Sequence, residues 1–442
     1  MKVVDFLTPF EDAQVLDALD VELARGLLRI AGLAVDDRPE VALGAALASR
    51  APSHGHLCAD LHAASATPSG RPGDEAPAGD AARDLPWPDA DTWISALRSC
   101  ALVRLAGVDR TSPLVLDAAG RLYLDRYWQY EDRLARAVRE RLRDPIDPGD
   151  PDALARVLAQ LVPDDPARPE WRQGVLDQRF AALLSLRSRF AVLTGGPGTG
   201  KTTSVAVVLL LLLRQAAAGR RPATGEPPPL RILLLAPTGK AAARMSESIG
   251  TFVRRIESAP AGAVDPDLAA LLPWLPREAS TIHRALGARP DRPGRFRHDR
   301  GNPLPVDVAV VDEASMVDAA LMARTFDALP ASARVLLLGD QDQLASVEAG
   351  AILGDLCGIG HGAAAGIGAG GSQALADLAR RVVGPDLDLP VAPDGLPIRD
   401  AIARLGHPFR FGETSGIGRL SRAVSDLGHR TGDALSAGVD KA

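Results

Sequence analysis

Cysteine is scarce. The 442 residues hold three, Cys58, Cys100 and Cys357, far apart and without paired spacing. That argues against a disulfide framework or a zinc site and fits a reducing cytoplasm, where the chain is expected to act. A signal-peptide pattern is missing from the stretch Met1-Lys-Val-Val-Asp-Phe6. Long apolar runs are missing too. The longest, Val205 to Leu213, is half of what a bilayer needs and reads as a buried core helix, so no membrane is expected. A basic excess is likewise absent. The formal net charge is −6, so any nucleic-acid contact must come from local sites. No internal repeat is visible. Hydrophobic residues at 46% and charged residues at 24% are ordinary for a soluble protein, and the length suits two or three domains.

What is present is organised around Gly195-Gly-Pro-Gly-Thr-Gly-Lys-Thr-Thr203. The apolar run Phe190 to Leu193 before it reads as a buried strand, and a helix follows. Gly195, Gly196, Gly198 and Gly200 let the backbone curl and turn successive N–H groups onto one anion. The helix brings its positive end to the same point. With Pro197, Thr199 and Thr203 completing the loop, Lys201 would reach phosphates and Thr202 would offer its hydroxyl to Mg²⁺. The spacing therefore predicts a nucleotide site.

Around this stretch the chain divides. Residues 1–165 read as a mainly helical N-terminal domain. Apolar residues of Phe10 to Ala34 recur at helical spacing, and another helix starts at Asp91 as N-cap. Residues 64–89 read as a surface insertion. Pro113 to Leu124 reads as a hairpin, and the charged helix Trp128 to Leu142 as a solvated face. From 170 to 385 helices alternate with short apolar strands at Phe190–Leu193, Arg231–Leu235, Val306–Val311 and Arg334–Leu338. That alternation predicts an α/β domain with a parallel sheet whose ligands lie at the strand ends. Gly358 to Ser372 reads as a flexible loop, and residues 386–442 as a further segment ending in a polar tail.

Other strand ends carry chemistry as well. Asp312 and Glu313 follow an apolar strand; Asp312 suits a cation and Glu313 suits polarising a water. Asp340 and Gln343 end a third strand, where Gln343 can sense a γ-phosphate or simply form a polar turn. Thr238 and Lys240 sit at a strand-to-helix turn suited to a backbone phosphate of a second ligand. Thr281, His283 and Arg284 fall together; His283 alone would read as a structural histidine.

Taken in order, these motifs resemble the superfamily 1 DNA helicases, and among them the RecD subunits of RecBCD helicase–nucleases (exodeoxyribonuclease V). The resemblance is carried by Gly195 to Thr203, Ala236-Pro-Thr-Gly-Lys-Ala-Ala242, Thr281-Ile-His-Arg284, Gly301-Asn-Pro303, Val311-Asp-Glu-Ala-Ser-Met316 and Gly339 to Gly350. His54-Gly-His-Leu-Cys58 and Pro113 to Leu124 agree with the same subunit. It implies a RecA-like motor domain, ATP and Mg²⁺ as cofactors, and 5′→3′ movement on single-stranded DNA. It also implies work on double-stranded breaks in repair and recombination, beside RecB-like and RecC-like subunits. Residue by residue, it makes Gln178, 17 positions before Gly195, the reader of adenine. Lys201 and Thr202 become phosphate and Mg²⁺ ligands, Asp312 the Mg²⁺-holding acid, Glu313 the base and Gln343 the γ-phosphate sensor. Thr238, Thr281 and His283 become DNA contacts. Phe409-Arg410-Phe resembles a fourth motif whose arginine reaches the phosphates, and 32 residues follow Arg410. The family carries most of a second RecA-like domain there, so residues 386–442 read as the incomplete start of that domain and the chain as the front half of such a subunit, binding ATP without unwinding DNA. A non-catalytic ATP-binding assembly subunit and a stand-alone RecD-like helicase are the other readings.

Overall fold

The computed structural model describes residues 5–66, 84–217, 230–289, 292, 294–341, 350, 352–359, 370–392 and 395–409. Gln343, Arg410 and much of the stretches 64–89 and 358–372 lie outside the described residues. Two compact units form. One holds the described residues of Met1–Ala135, Asp318–Ala323 and Ala345–Ala351; the other holds those of Arg136–Val317, Arg324–Leu344 and Ile352–Ala442.

In the first unit, helices α1 (Thr8–Asp12), α2 (Ala18–Ile30), α3 (Pro39–Arg50) and α4 (Ala90–Arg98) pack with a four-stranded sheet. Its strands are β1 (Cys58–Asp60), β2 (Val103–Leu105), β3 (Leu114–Leu116) and β4 (Arg121–Leu124), in the order β1-β4-β3-β2. The expected hairpin is β3 and β4, antiparallel with Val115 opposite Tyr123. The sheet adds to the helical reading, because β1 and β2 have only three residues each and show no alternation over so short a run. Helix α3 is apolar all round and buried from Val41 to Ala48, so it forms the centre of this unit. A side chain at Gly44 would meet Leu122, Leu97 and Trp93, which explains a glycine inside that helix. The helical stretch expected over Phe10 to Ala34 holds two helices, parted near Gln14, whose φ is +57°. Leu19 and Ile30, eleven residues apart and so on one face of α2, are exposed. The cap of α4 is Asp89 rather than Asp91; its carboxylate accepts the Thr92 N–H at 3.1 Å.

Helix α5 (Asp125–Leu142) runs out of the first unit, so the division falls inside a helix and not near residue 165. Its last turns belong to the second unit because Arg141 is buried there. The guanidinium donates to Ala333 O at 3.1 Å and Pro330 O at 2.8 Å. The charged helix thus also buries Leu134, Val138 and Arg141.

In the second unit, helices α6 (Pro151–Leu161), α7 (Arg172–Arg187), α8 (Lys201–Ala217) and α9 (Gly239–Glu257) pack with a six-stranded sheet. Its strands are β5 (Phe190–Thr194), β6 (Ile232–Ala236), β7 (Ser280–Thr281), β8 (Val308–Val311), β9 (Arg334–Gly339) and β10 (Ile402–Arg404). All pair parallel, in the order β10-β5-β9-β8-β6-β7. Four of the six are the expected strands. Residues 402–404, read as part of a further domain, instead add an edge strand to this sheet, with Ala403 opposite Leu193. The apolar run after the phosphate loop is α8, buried from Ser204 to Leu213.

Candidate functional site

The sheet order decides which motifs meet. Strand β5 lies between β10 and β9, so the glycine loop that follows it is flanked by the ends of both. Gly195 N donates to Gly339 O at 3.2 Å, joining the loop to the end of β9. Gly198 and Gly200 hold φ of +82° and +84°, the left-handed region that only glycine enters cheaply. Side chains at Gly195 and Gly200 would collide with Leu405 O and with the Gln178 amide. Thr199 Oγ1 donates to Gly196 O at 2.9 Å and closes the turn. The Lys201 ammonium donates to Gly195 O, and to Gly196 O at 3.0 Å. Among the described residues it forms no ion pair. Burial lowers its pKa, while the charges of Asp340, Glu313 and Asp312 act against that. A desolvated cation held only by carbonyls of its own loop suits an anion, and a phosphate fits this cradle.

Across β9, β8 delivers Asp312 and Glu313. Burial pushes the Asp312 carboxyl up to about 6, although it accepts the Glu313 N–H at 2.9 Å. An oxygen ligand that is expensive to ionise until a cation arrives suits the metal of a nucleotide. Glu313 stands at φ +50°, ψ +42°, a left-handed conformation that is strained for a side chain of this size. Such strain collects where a side chain must be aimed. Asp340, at the end of β9, is buried between these groups in the sheet order. Gln178 lies on α7 and is buried, its amide against Gly200, so the structure brings it to the loop. Spacing alone would not have found it, since it lies one helix upstream.

Thr238 follows β6 and Thr281 ends β7, at the far end of the same edge. Neighbouring strands lie about 4.8 Å apart, so β7, four strands from β5, ends on the order of 19 Å from the glycine loop. A ligand there is not the one held by Lys201. Both threonines are helix caps: Thr238 Oγ1 accepts Ala241 N–H at 3.2 Å, and Thr281 Oγ1 accepts Arg284 N–H at 3.3 Å. His283 is exposed, its ring 5.8 Å from that of Phe296. What the motif reading missed is the excursion behind it. Residues 284–300 hold six arginines against two aspartates. An antiparallel bridge joins Ala288 to Phe296, and Arg284, Arg289, Arg292, Arg295, Arg297 and Arg300 are all exposed. Arg324 stacks over Phe296 at 5.7 Å, and Arg300 pairs with Asp327 at 2.7 Å. The signal was in the sequence as a local arginine run, masked by the negative total.

Residues 178–349 match the family described as an AAA domain. Residues 12–123 match the N-terminal domain of RecBCD enzyme subunit RecD. RecBCD enzyme subunit RecD of Mycolicibacterium smegmatis is 38% identical over 348 residues, 78% of this chain and 53% of that protein. The subunit of Mycobacterium tuberculosis is 42% identical over 349 residues, 78% of this chain and 51% of its own. The ATP-dependent RecD2 DNA helicase of Deinococcus radiodurans is 36% identical over 233 residues, 52% of this chain and 25% of that one. The chain spans about half the length of the RecD subunits it matches. With a RecD N-terminal match in one unit and an AAA-domain match lying mainly in the other, the chain is a homologue of the RecD subunits of RecBCD enzymes.

Proposed function

We propose that this chain binds ATP with Mg²⁺ and forms the nucleotide-binding part of a 5′→3′ DNA helicase subunit. The subunit acts in the cytoplasm on the DNA of double-strand breaks, beside RecB-like and RecC-like subunits. One observation carries the reading. A single sheet edge ends in a phosphate cradle with carboxylates at one end and in an exposed arginine cluster about four strands away. The first suits a nucleotide and its cation; the second suits the phosphate backbone of single-stranded DNA, with Phe296 and His283 among the arginines.

In this reading Lys201 neutralises the β- and γ-phosphates, and Thr202 and Asp312 hold Mg²⁺, which supplies charge stabilisation to the phosphates. Glu313 takes the proton of the attacking water. Gln343 senses the γ-phosphate and Arg410 reaches the phosphates, both roles resting on the family resemblance. Thr238, Thr281 and His283 touch DNA. The exposed Leu19 and Ile30 of α2 offer apolar contact to a RecC-like subunit. The match to an ATP-dependent DNA helicase supports the motor reading over an assembly subunit that never turns over ATP.

The test is ATP binding and hydrolysis by the purified chain, with and without single-stranded DNA. Mg²⁺-dependent ATP binding is expected. Replacing Arg289, Arg295 and Arg297 together by alanine is expected to weaken single-stranded DNA binding and to flatten its salt dependence by about 2 in log–log slope. A chain that binds no ATP in Mg²⁺ would sink the proposal.

A further inference from the structure

The residues after β10 form a strap. Leu405 N donates to Thr194 O at 2.8 Å, Gly406 N to Asp177 Oδ2 at 2.8 Å, and Phe409 N to Gly198 O at 2.9 Å. The strap is therefore stitched in turn to the end of β5, to α7 and to the phosphate loop. Its middle stitch is unusual. Asp177 is 2% exposed, and among the described residues no cation pairs with it. Its carboxylate instead accepts two N–H groups: that of Gly406 in the strap at 2.8 Å, and that of Gln173 Nε2 at 3.0 Å. A carboxylate buried without a cation is unfavourable, so it stands where its hydrogen bonds are needed.

What these bonds hold in place faces the nucleotide site. Gln178, the next residue, has its amide against Gly200, and the Phe409 ring reaches the same place, 3.6 Å from where a Gly200 side chain would begin. Phe409 also meets Trp171 and His407 edge-on, with ring centres at 5.3 Å and 5.2 Å. His407 Nε2 is buried and has no hydrogen-bond partner among the described residues. The loop thus has a charged side, with Lys201, Asp312 and Asp340, and an uncharged side, with an amide, aromatic rings and an unsatisfied ring nitrogen. Phosphates and a cation suit the first side. A flat heterocycle with donors and acceptors suits the second.

We propose that Asp177 is a positioning residue of the nucleotide site: by holding Gly406 it sets the strap against the Gln178 side of the phosphate loop, and so shapes the place where the base is bound. The proposal rests on the nucleotide reading above. Asp177 touches no nucleotide itself. It acts through Gly406 and the strap's hold on Gly198.

The test is equilibrium binding of ATP, GTP and inorganic tripolyphosphate to the full chain and to two variants. Asp177→Asn replaces one acceptor oxygen by a donor, so it can no longer accept from both Gln173 and the strap. Gly174→Ala works from the other side. Its methyl would lie 2.6 Å from Phe409 Cζ and 3.0 Å from His407 Cβ, wedging the strap away, while alanine favours the helix and so keeps the fold. Both variants are expected to weaken ATP about ten-fold, a single hydrogen bond's worth, to narrow the preference for ATP over GTP, and to leave tripolyphosphate within about two-fold. Unchanged ATP affinity in both variants overturns the proposal. So does a parallel loss of ATP and tripolyphosphate, which marks a general structural role. If the wild type binds tripolyphosphate as tightly as ATP, no base is read on this side and the proposal fails while the phosphate loop stands. If it binds neither, the nucleotide reading itself fails and this proposal with it.

Discussion

Lys201 shows how one side chain is prepared for a ligand. Its ammonium is buried against two carbonyls of its own loop, and burial lowers its pKa. The fold gains little from this charge, so Lys201→Ala is expected to abolish ATP binding without lowering the melting temperature, as nucleotide titration and thermal unfolding will show. Asp177 makes a different prediction. Burial pushes its carboxyl up to about 6, well above the usual value near ~3.9 for an aspartate. The neutral form is thus favoured in the fold. Stability from this group is fully present below pH ~4 and is lost as pH rises through about 6. Asp177→Asn removes the titration. Between pH ~4 and ~7 the wild type should lose about 3 kcal/mol relative to the variant. Urea unfolding of both proteins across that range measures it; a gap that does not change with pH would show that Asp177 does not titrate there.

Helix ends hold much of what positions the site. The last carbonyls of α7 have no partners within the helix. Arg334 supplies them: its Nη1 donates to Leu186 O at 3.0 Å and to Ser185 O and Ser188 O at 3.3 Å, and its Nη2 to Gln215 Oε1 at 2.8 Å. Burial lowers this guanidinium to about 10, and no carboxylate among the described residues pairs with it. It ties β9 to both α7 and α8, so Arg334→Ala should cost about 2–3 kcal/mol in chemical denaturation through carbonyls left bare. At the other kind of helix end, Thr281→Ala should cost about 1 kcal/mol as a lost cap. Thr281→Ser keeps the cap, so a loss of DNA affinity in the alanine variant that serine restores would not separate the two roles. A loss in serine as well, at full stability, would assign Thr281 a contact beyond the cap.

The two units have separate apolar cores. One is built around α3 and the β1–β4 sheet, with Leu43, Trp93, Leu97, Leu114 and Leu122 fully or nearly buried. The other is built around α7, α8 and the six-stranded sheet. Separate cores melt as separate cooperative blocks when each can bury its own surface. Calorimetry of the full chain is therefore expected to show two transitions. ATP with Mg²⁺ should raise only the one belonging to the second unit, by about 2.7 kcal/mol at a hundred-fold excess over Kd. A single transition, or a shift of both together, would mean that the two cores unfold as one.

Much of the site could be read from the chain because its chemistry is local. The glycine spacing of 195–200 demands left-handed backbone, and Gly198 and Gly200 adopt it. The apolar runs before Gly195, Thr238, Asp312 and Asp340 had to be strands, and their parallel pairing follows from the helices between them. The order of those strands was not local. β10 joins β5 across some two hundred residues of chain, and β7 is two residues long, so neither leaves a periodic trace. Only packing decided that Asp340 and Asp312 stand beside the phosphate loop, on its β9 side, while Thr281 and the arginine excursion stand at the far edge. Packing also buried Asp177 beneath the strap. Residue spacing specifies turns and helix caps, because these depend on neighbours in sequence; which strand ends share a ligand depends on the sheet, where neighbours are chosen by the burial of the whole unit.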